Sequence, residues 1–301
     1  MRFALKSGQT ARQGIVKLFD NEVEAVLRAL HSRQRSEQVV HEVRRHCKKA
    51  RAVARLVRGE WGDKRYRQIN ACLRDAAKPL TGVRDADVLV HTLDHLLGEF
   101  GDGAHRDEFI QLRHALLARR RIIHRRWHGQ KGPRIQVSNR VERTRKLLHR
   151  AKIPHKGWLV IGPGLATVYG QGRQACLRAA KSPSIEALHE WRKQAKYLRY
   201  ELELMEPLWD AVMTSMVDEL HHLTDLLGEH HDLAVLSQKL SGDLALTGNR
   251  RTRQKLLAFI ARRLEQVEIN ARRLGARVYG EGVREFSRRI HAYWRVWRTE
   301  T

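Results

Sequence analysis

The sequence is poor in the residues that staple or interrupt a chain. It has three cysteines, Cys47, Cys72 and Cys176, an odd number in unrelated contexts. That excludes a disulfide framework and fits a reducing, cytoplasmic setting. Six prolines in 301 residues leave room for long helices, and runs of β-branched residues are scarce. No apolar run reaches the roughly 18 residues of a membrane span. The start, Met1-Arg2-Phe3-Ala4-Leu5-Lys6, turns polar too early for a signal peptide. Acid is what the chain lacks most: 33 Asp+Glu stand against 58 Lys+Arg, a net +25 before any of 17 histidines is protonated. Such an excess identifies the sign of the partner rather than the fold. Hydrophobic residues make up 42%, enough for a core, and they recur periodically, so global disorder is excluded.

The apolar spacing is i, i+3/i+4 almost throughout, which predicts an all-α protein. Helices are expected over 10–31, 36–58, 64–80, 85–98, 106–128, 165–181, 184–205, 208–227, 230–241 and 250–278, with a basic helix over 282–298. Ser182-Pro183 has the composition of a helix start, an N-cap followed by proline at the first helical position. Breaks are expected at Gly59, Gly98–Gly103, Gly129–Pro133, Gly157 and Gly162-Pro163-Gly164. The segment 130–164, with one short amphipathic stretch near 138–150, reads as a linker between an N-terminal bundle, 1–129, and a C-terminal bundle, 165–301.

The two halves repeat one another. His41-Glu42-Val43-Arg44-Arg45-His46-Cys47-Lys48 aligns without a gap on His189-Glu190-Trp191-Arg192-Lys193-Gln194-Ala195-Lys196, 148 residues on. Downstream, Gly82-Val83-Arg84-Asp85 resembles Gly228-Glu229-His230-His231-Asp232 after one small indel. Two copies of a helical unit related by a pseudo-twofold axis is the economical architecture, since the period is too long for a solenoid.

Each repeated helix carries a row of base beside its apolar seam. Val40, Val43, Cys47, Ala50, Ala54 and Val57 form the first seam; Leu188, Trp191, Ala195, Leu198, Leu202 and Met205 form the second. His41, Arg44, Lys48 and Arg51 each follow a seam residue, as do His189, Arg192, Lys196 and Arg199. At about 100° per residue these positions fall within an arc of about 80°, a row about 15 Å long. Arg55 extends the first row, where the second has Glu203. A charge row opposite the core is a solvated face. A row on the shoulder of the core lines the groove between neighbouring helices, and two rows across a twofold make a basic channel for a linear polyanion. Phosphate suits this set chemically: Arg presents a fork, Lys a mobile point charge and His a donor.

At these residues the sequence resembles the CHAD family, a histidine α-helical domain. The resemblance rests on His41-x-x-Arg44-x-x-x-Lys48-Lys49-x-Arg51, on His189-x-x-Arg192-Lys193-x-x-Lys196-x-Leu198-Arg199-Tyr200, on Phe3-x-Leu5-Lys6-x-Gly8, on Gly82-x-Arg84-Asp85-x-Asp87-Val88-Leu89, and on Tyr169-x-x-x-Arg173. It implies one domain over 1–301, built of two pseudo-twofold-related four-helix bundles around a basic central groove or pore that binds inorganic polyphosphate. It also implies association with polyphosphate granules. No residues remain for a fused triphosphate-tunnel domain, so a stand-alone type is expected. The ligand role carries over to Arg44, Lys48, Arg51, Arg192, Lys196 and Arg199. Arg45, Lys49 and Lys193 lie near the row, His41 and His189 donate to phosphate or hold neighbouring arginines, Arg55 prolongs the row and Arg173 adds from the helix before the second motif. Trp191 and Tyr197 depart from the pattern of the first half, where Val43 and Lys49 stand.

Two other readings compete. His221-His222 and His230-His231-Asp232 suggest a metal-dependent phosphohydrolase. Against it, Asp232 matches Asp85 and its histidine neighbour matches Arg84, so helix-start hydrogen bonding is expected there and neither metal nor cofactor. Weak, non-specific nucleic-acid binding fits the charge, but no zinc-finger, helix-turn-helix or aromatic RNA-binding pattern is present. Most of the seven tryptophans read as core or helix-packing residues, with Trp294 and Trp297 as exceptions; their basic helix, Arg284 to Arg298, is expected to dock on its bundle, the alternative being contact with phosphate backbones or a membrane surface. No Ser/His/Asp or Cys/His pattern stands in a helpful context, Cys47 lies on the seam, and no enzymatic activity is expected.

Overall fold

The computed structural model describes residues 3–99, 105–129, 131–242 and 250–299. The described chain is all-α, with no strand among the described residues. The helices are α1 (Ala11–His31), α2 (Ser36–Leu56), α3 (Arg58–Ala76), α4 (Thr81–Glu99), α5 (His105–Gly129), α6 (Lys131–His149), α7 (Gly162–Lys181), α8 (Ile185–Glu203), α9 (Asp210–Gly242), α10 (Arg250–Val278) and α11 (Val283–Thr299). None is long and apolar enough to cross a membrane.

Local chemistry sets several boundaries. Thr10 closes a capping box on α1: its hydroxyl accepts from the Gln13 N–H while the Gln13 side chain accepts from the Thr10 N–H. Helix α8 begins slightly later than expected, because the Ser184 hydroxyl, not that of Ser182, accepts from the Ala187 N–H. The glycines of Gly162-Pro163-Gly164 open α7 instead of interrupting the chain, with proline in the first turn. Gly164 is required there: a Cβ would lie 1.8 Å from the Leu56 carbonyl oxygen, so α7 starts against the end of α2. The expected break at Gly59 lies inside α3, whose kink is at Gly62, φ +70°. The Gly98–Gly103 break falls mostly outside the described residues.

The segment 130–164 is not simply a linker. Its first half is α6, which buries Val137, Val141, Thr144 and Leu148 against α1 and α3. Four buried residues in nineteen give α6 a narrow buried stripe under a strongly basic surface, so spacing showed only a short amphipathic stretch near 138–150 and not the full helix. Likewise 208–242 is dominated by one helix rather than two, and Gly228 lies buried within it.

Pairings recur along the chain. Helix α1 packs on α2 as α7 packs on α8, and α4 on α5 as α9 on α10. The hydrophobic clusters, however, do not follow the two halves of the sequence. The larger cluster unites α1–α3, α6–α8, the first half of α9, the end of α10 and α11. The smaller is built from Leu89–Leu97 of α4, Phe109, Leu112 and Leu116 of α5, Leu233, Leu236 and Leu240 of α9, and Leu256 and Ile260 of α10. Both cores therefore draw on both halves. Contrary to their reading as exceptions, Trp294 and Trp297 are buried, and α11 docks on α7.

Candidate anion-binding site

All twelve seam residues of α2 and α8 are buried, so the rows beside them are placed on the shoulders of the core. Helix α2 packs on α4, α4 on α9, α9 on α8 and α8 on α2. This closes a ring of four helices, two from each half, at the junction of the two hydrophobic clusters. Arg44, Lys48, Arg192, Lys196 and Arg199 are half-buried within it.

The defining property of the ring is unneutralised positive charge. Lys48 is pushed down to about 7, first by burial and then by Arg44, Arg192, Arg84 and Arg199. Lys196 is pushed well below the usual lysine range by burial, then by Arg192, Lys48, Arg199 and Arg84. Arg44 and Arg192 are lowered by burial before any charge acts. Among the described residues no carboxylate lies within ion-pair distance of these four side chains. The Nε groups of Arg192 and Arg199 are buried with no acceptor, an arrangement that is costly unless something supplies one.

The contacts around the crossing of α2 and α8 are reciprocal. Lys49 pairs with Glu203, and the Arg55 guanidinium lies 3.9 Å from the centroid of the Tyr197 ring. Positions 49 and 197 are repeat equivalents, as are 55 and 203, so one contact is the other with the halves exchanged, as at an isologous interface. Tyr197 thus stands in for Lys49 by offering a π-face to an arginine instead of a cation to a glutamate. Trp191, the other departure, is fully buried because Gly275 on α10 leaves room: a Cβ there would sit 2.2 Å from the indole.

Other members of the rows are held individually. Arg51 donates from Nε to the Asn70 side-chain oxygen at 2.9 Å, and Arg199 donates to the Thr224 hydroxyl at 3.4 Å. His189 and His231 bring their Nδ1 atoms to 3.3 Å with ring centroids 4.6 Å apart. Burial lowers both rings, and burial with Arg192 takes His231 to about 4. His41 is exposed.

The remaining candidates do not join the cluster. Arg45 and Lys193 are exposed and pair with Glu42 and Glu190 one turn back, which is where those glutamates spend their charge. Lys49 is committed to Glu203 and to the Phe3 ring. Arg173 buries an unpartnered Nε, and its field is felt at Tyr169 and Cys176 on its own helix.

Arg84, read from the sequence as a helix-start residue and not as a candidate ligand, belongs to the cluster. It lies in the first turns of α4, reaches Asp232 on α9 at 3.5 Å, and acts on Arg44, Lys48, Arg192 and Lys196. Arg84 and Asp232 are 148 residues apart, the offset of the motif helices, and that coincidence was the available signal. The expectation that His231 and Asp232 begin a helix is incorrect, since both lie inside α9. A cavity of about 620 Å³ opens beside Arg192 and Lys196 between α4, α8 and α9, with Thr92, Thr224 and Asp232 on its wall. A second, more apolar cavity of about 380 Å³ lies by Tyr169 and Phe286 and has no such cluster.

The metal-site constellation is not assembled. His221 pairs with Asp225 at the surface, His230 is buried, and His231 faces His189. Among the described residues the one group within ligand reach of a common ion is His95, Glu99 and Glu229. Arg263 already bridges its two carboxylates. Cys47 is buried, and burial raises its thiol to about 12, the reverse of what a nucleophile needs.

No curated protein matches the sequence. Residues 13–241 match the CHAD domain family, a span that runs from α1 through nearly all of α9 and contains every helix of the basic ring. The chain belongs to the CHAD domain family.

Proposed function

We propose that the protein captures inorganic polyphosphate in the four-helix ring and that no chemical step is involved. The observation that carries this reading is the unpaired cluster: Lys48 and Lys196, one from each half, desolvated and surrounded by Arg44, Arg84, Arg192 and Arg199 without a carboxylate on either lysine. A flexible chain carrying one charge per phosphate supplies many acceptors at close spacing, which suits a crowded set of donors better than a single anion does. Capture begins in the long-range field of the +25 protein. It ends with forked hydrogen bonds from the arginines and point contacts from the lysines. In cells that store polyphosphate, the same contacts would bring the protein to the granules.

The test is titration of the protein with labelled long-chain polyphosphate, with duplex DNA as competitor at equal phosphate concentration. The variant Arg44→Ala/Lys48→Ala/Arg192→Ala/Lys196→Ala should bind weakly. Its dependence of log K on log salt should also be shallower, by about 3 for four lost contacts on a single-stranded polyanion. Unchanged affinity and slope in that variant would locate binding elsewhere, and displacement of polyphosphate by DNA would replace the polymer specificity with a general affinity for phosphate backbones.

A further inference from the structure

We propose a second, separate site: a serine nucleophile, Ser36, activated by His124 and Asp87 at the start of α2, for hydrolysis of small esters that carry an anionic group. The three residues come from α2, α5 and α4 and are far apart in sequence, so no local pattern announces them. Ser36 Oγ lies 2.5 Å from His124 Nδ1, and His124 Nε2 lies 2.7 Å from Asp87 Oδ1. An ionised carboxylate can only accept, so in the neutral ring Nε2 carries the proton and Nδ1 presents its lone pair. The Ser36 hydroxyl is therefore the donor to His124, the direction a general base requires. Arg120 donates from Nε to the same Asp87 oxygen at 2.6 Å and fixes the carboxylate from behind. The base is thus oriented by a third group, itself held in place.

The surroundings suit acyl transfer. Ser36 is the first residue of α2, and this helix begins without a side-chain cap, because its N-cap residue, Arg35, carries no acceptor. The first N–H groups of α2 are left as donors for a developing oxyanion, at the positive end of the helix. A cavity of about 390 Å³ lies beside Ser36 and His124, lined also by Arg35, Arg121 and His128 and by Glu37, whose charge is taken up by Arg120. Arg35, Arg121 and His128 are exposed, and they select a substrate with a carboxylate or phosphate beyond the reacting ester.

In the reaction, the Ser36 Oγ–acyl bond forms as the hydroxyl proton passes to His124 Nδ1. The ester C–O bond then breaks, and His124 returns the proton to the leaving alcohol. Water, deprotonated by His124, attacks the acyl-serine and releases the acid with Ser36 restored. The sum is ester plus water to acid plus alcohol. None of these residues belongs to the proposed polyphosphate groove, so the two readings stand or fall separately.

The test uses the full chain with a fluorophosphonate probe, peptide mass spectrometry, and 4-nitrophenyl succinate as the anionic ester. Stoichiometric labelling of Ser36 is expected. Ester hydrolysis should fall by about a hundredfold or more in Ser36→Ala, with helical content and polyphosphate binding unchanged. Ser36→Cys should place a thiol on His124 and react with iodoacetamide faster at pH 7 than Cys72 in the same protein. Ser36 left unlabelled, hydrolysis unaffected by Ser36→Ala, or an introduced thiol reacting no faster than Cys72 would each overturn the proposal and leave the trio as a clip joining α2, α4 and α5.

Discussion

Binding of a polyanion in the four-helix ring should take up protons. Lys48 sits at about 7 because it is buried among Arg44, Arg192, Arg84 and Arg199. A phosphate chain seated against it replaces the lost hydration and offsets those fields, which returns the lysine toward its ordinary value of about 10.4. The bound form then holds more protons than the free form between about pH 7 and 10, so affinity is highest on the acid side and falls as pH rises. With a full return, Lys48 alone accounts for roughly a hundredfold loss of affinity between pH 6 and pH 9, or about 2.7 kcal/mol. Lys196, lowered by burial and by neighbouring cations of the same cluster, acts in the same direction. The empty protein behaves in the opposite sense. Its Lys48 binds fewer protons than the unfolded chain between about pH 7 and 10.4, so its stability rises with pH across that window. Titration calorimetry in buffers of different ionisation heat, at constant ionic strength and with long chains whose interior phosphates stay ionised, measures both affinity and proton uptake. A dissociation constant flat from pH 6 to 9 with no proton uptake would refute the premise that Lys48 gives up its proton near neutral pH when the groove is empty.

Three further outcomes follow from particular contacts. Lys48→Met keeps the stem and removes the repelled charge, so it should weaken polyphosphate binding while raising Tm, by about 2–4 °C for each kcal/mol relieved; thermal scans with and without ligand check both signs. Gly275→Ala drives a methyl into Trp191 and should cost about 1–3 kcal/mol. Trp191→Val, which restores the residue of the first half, should make that alanine far better tolerated in a double-mutant cycle by urea unfolding. Arg84→Ala leaves Asp232 without its partner from α4 and should weaken polyphosphate binding by about tenfold, as read by anisotropy, although Arg84 lies outside the motif helices.

The seams and the rows beside them were legible because helical periodicity is a local property: every seam residue named from spacing is buried. The all-α class followed from the same signal. What spacing did not reveal was partnership. Arg45, Lys49 and Lys193 have the right type and position, yet each is claimed by a glutamate, in one case from the other half of the chain. Arg84 enters the site because α4 packs between α2 and α9, a long-range fact without a periodic trace. The continuity of α9 through Gly228 was hidden for a related reason. Glycine weakens a helix locally, but both flanks of this one are buried, on Leu223 and Leu227 and then on Leu233 and Leu236, and tertiary packing outweighs the local cost. The same continuity turns the His231-Asp232 pair from an expected helix start into a wall of the ring.

A cluster of cations without counter-ions persists only where its surroundings hold it in place. Here the ring lies where α2 and α8, anchored in the larger core, meet α4 and the second half of α9, anchored in the smaller. On one side the reciprocal pairs Lys49–Glu203 and Arg55–Tyr197 tie the motif helices together; on another, Arg84–Asp232 ties α4 to α9. These contacts satisfy the charges at the margin and leave Lys48 and Lys196 in the middle unsatisfied. Moving the neutralisation inward, for example with Val43→Glu or Ala195→Glu, would relieve the repulsion but place a carboxylate on a buried seam. The stable alternative is an external anion, so the affinity of the groove is set in large part by the repulsion that binding removes. A short phosphate that reaches one lysine relieves part of that repulsion, whereas a chain long enough to touch both halves relieves it across the whole ring. Affinity should therefore climb with chain length until both Lys48 and Lys196 are engaged and level off beyond that point, a plateau that titration with size-fractionated polyphosphates would reveal and that a linear rise with length would contradict.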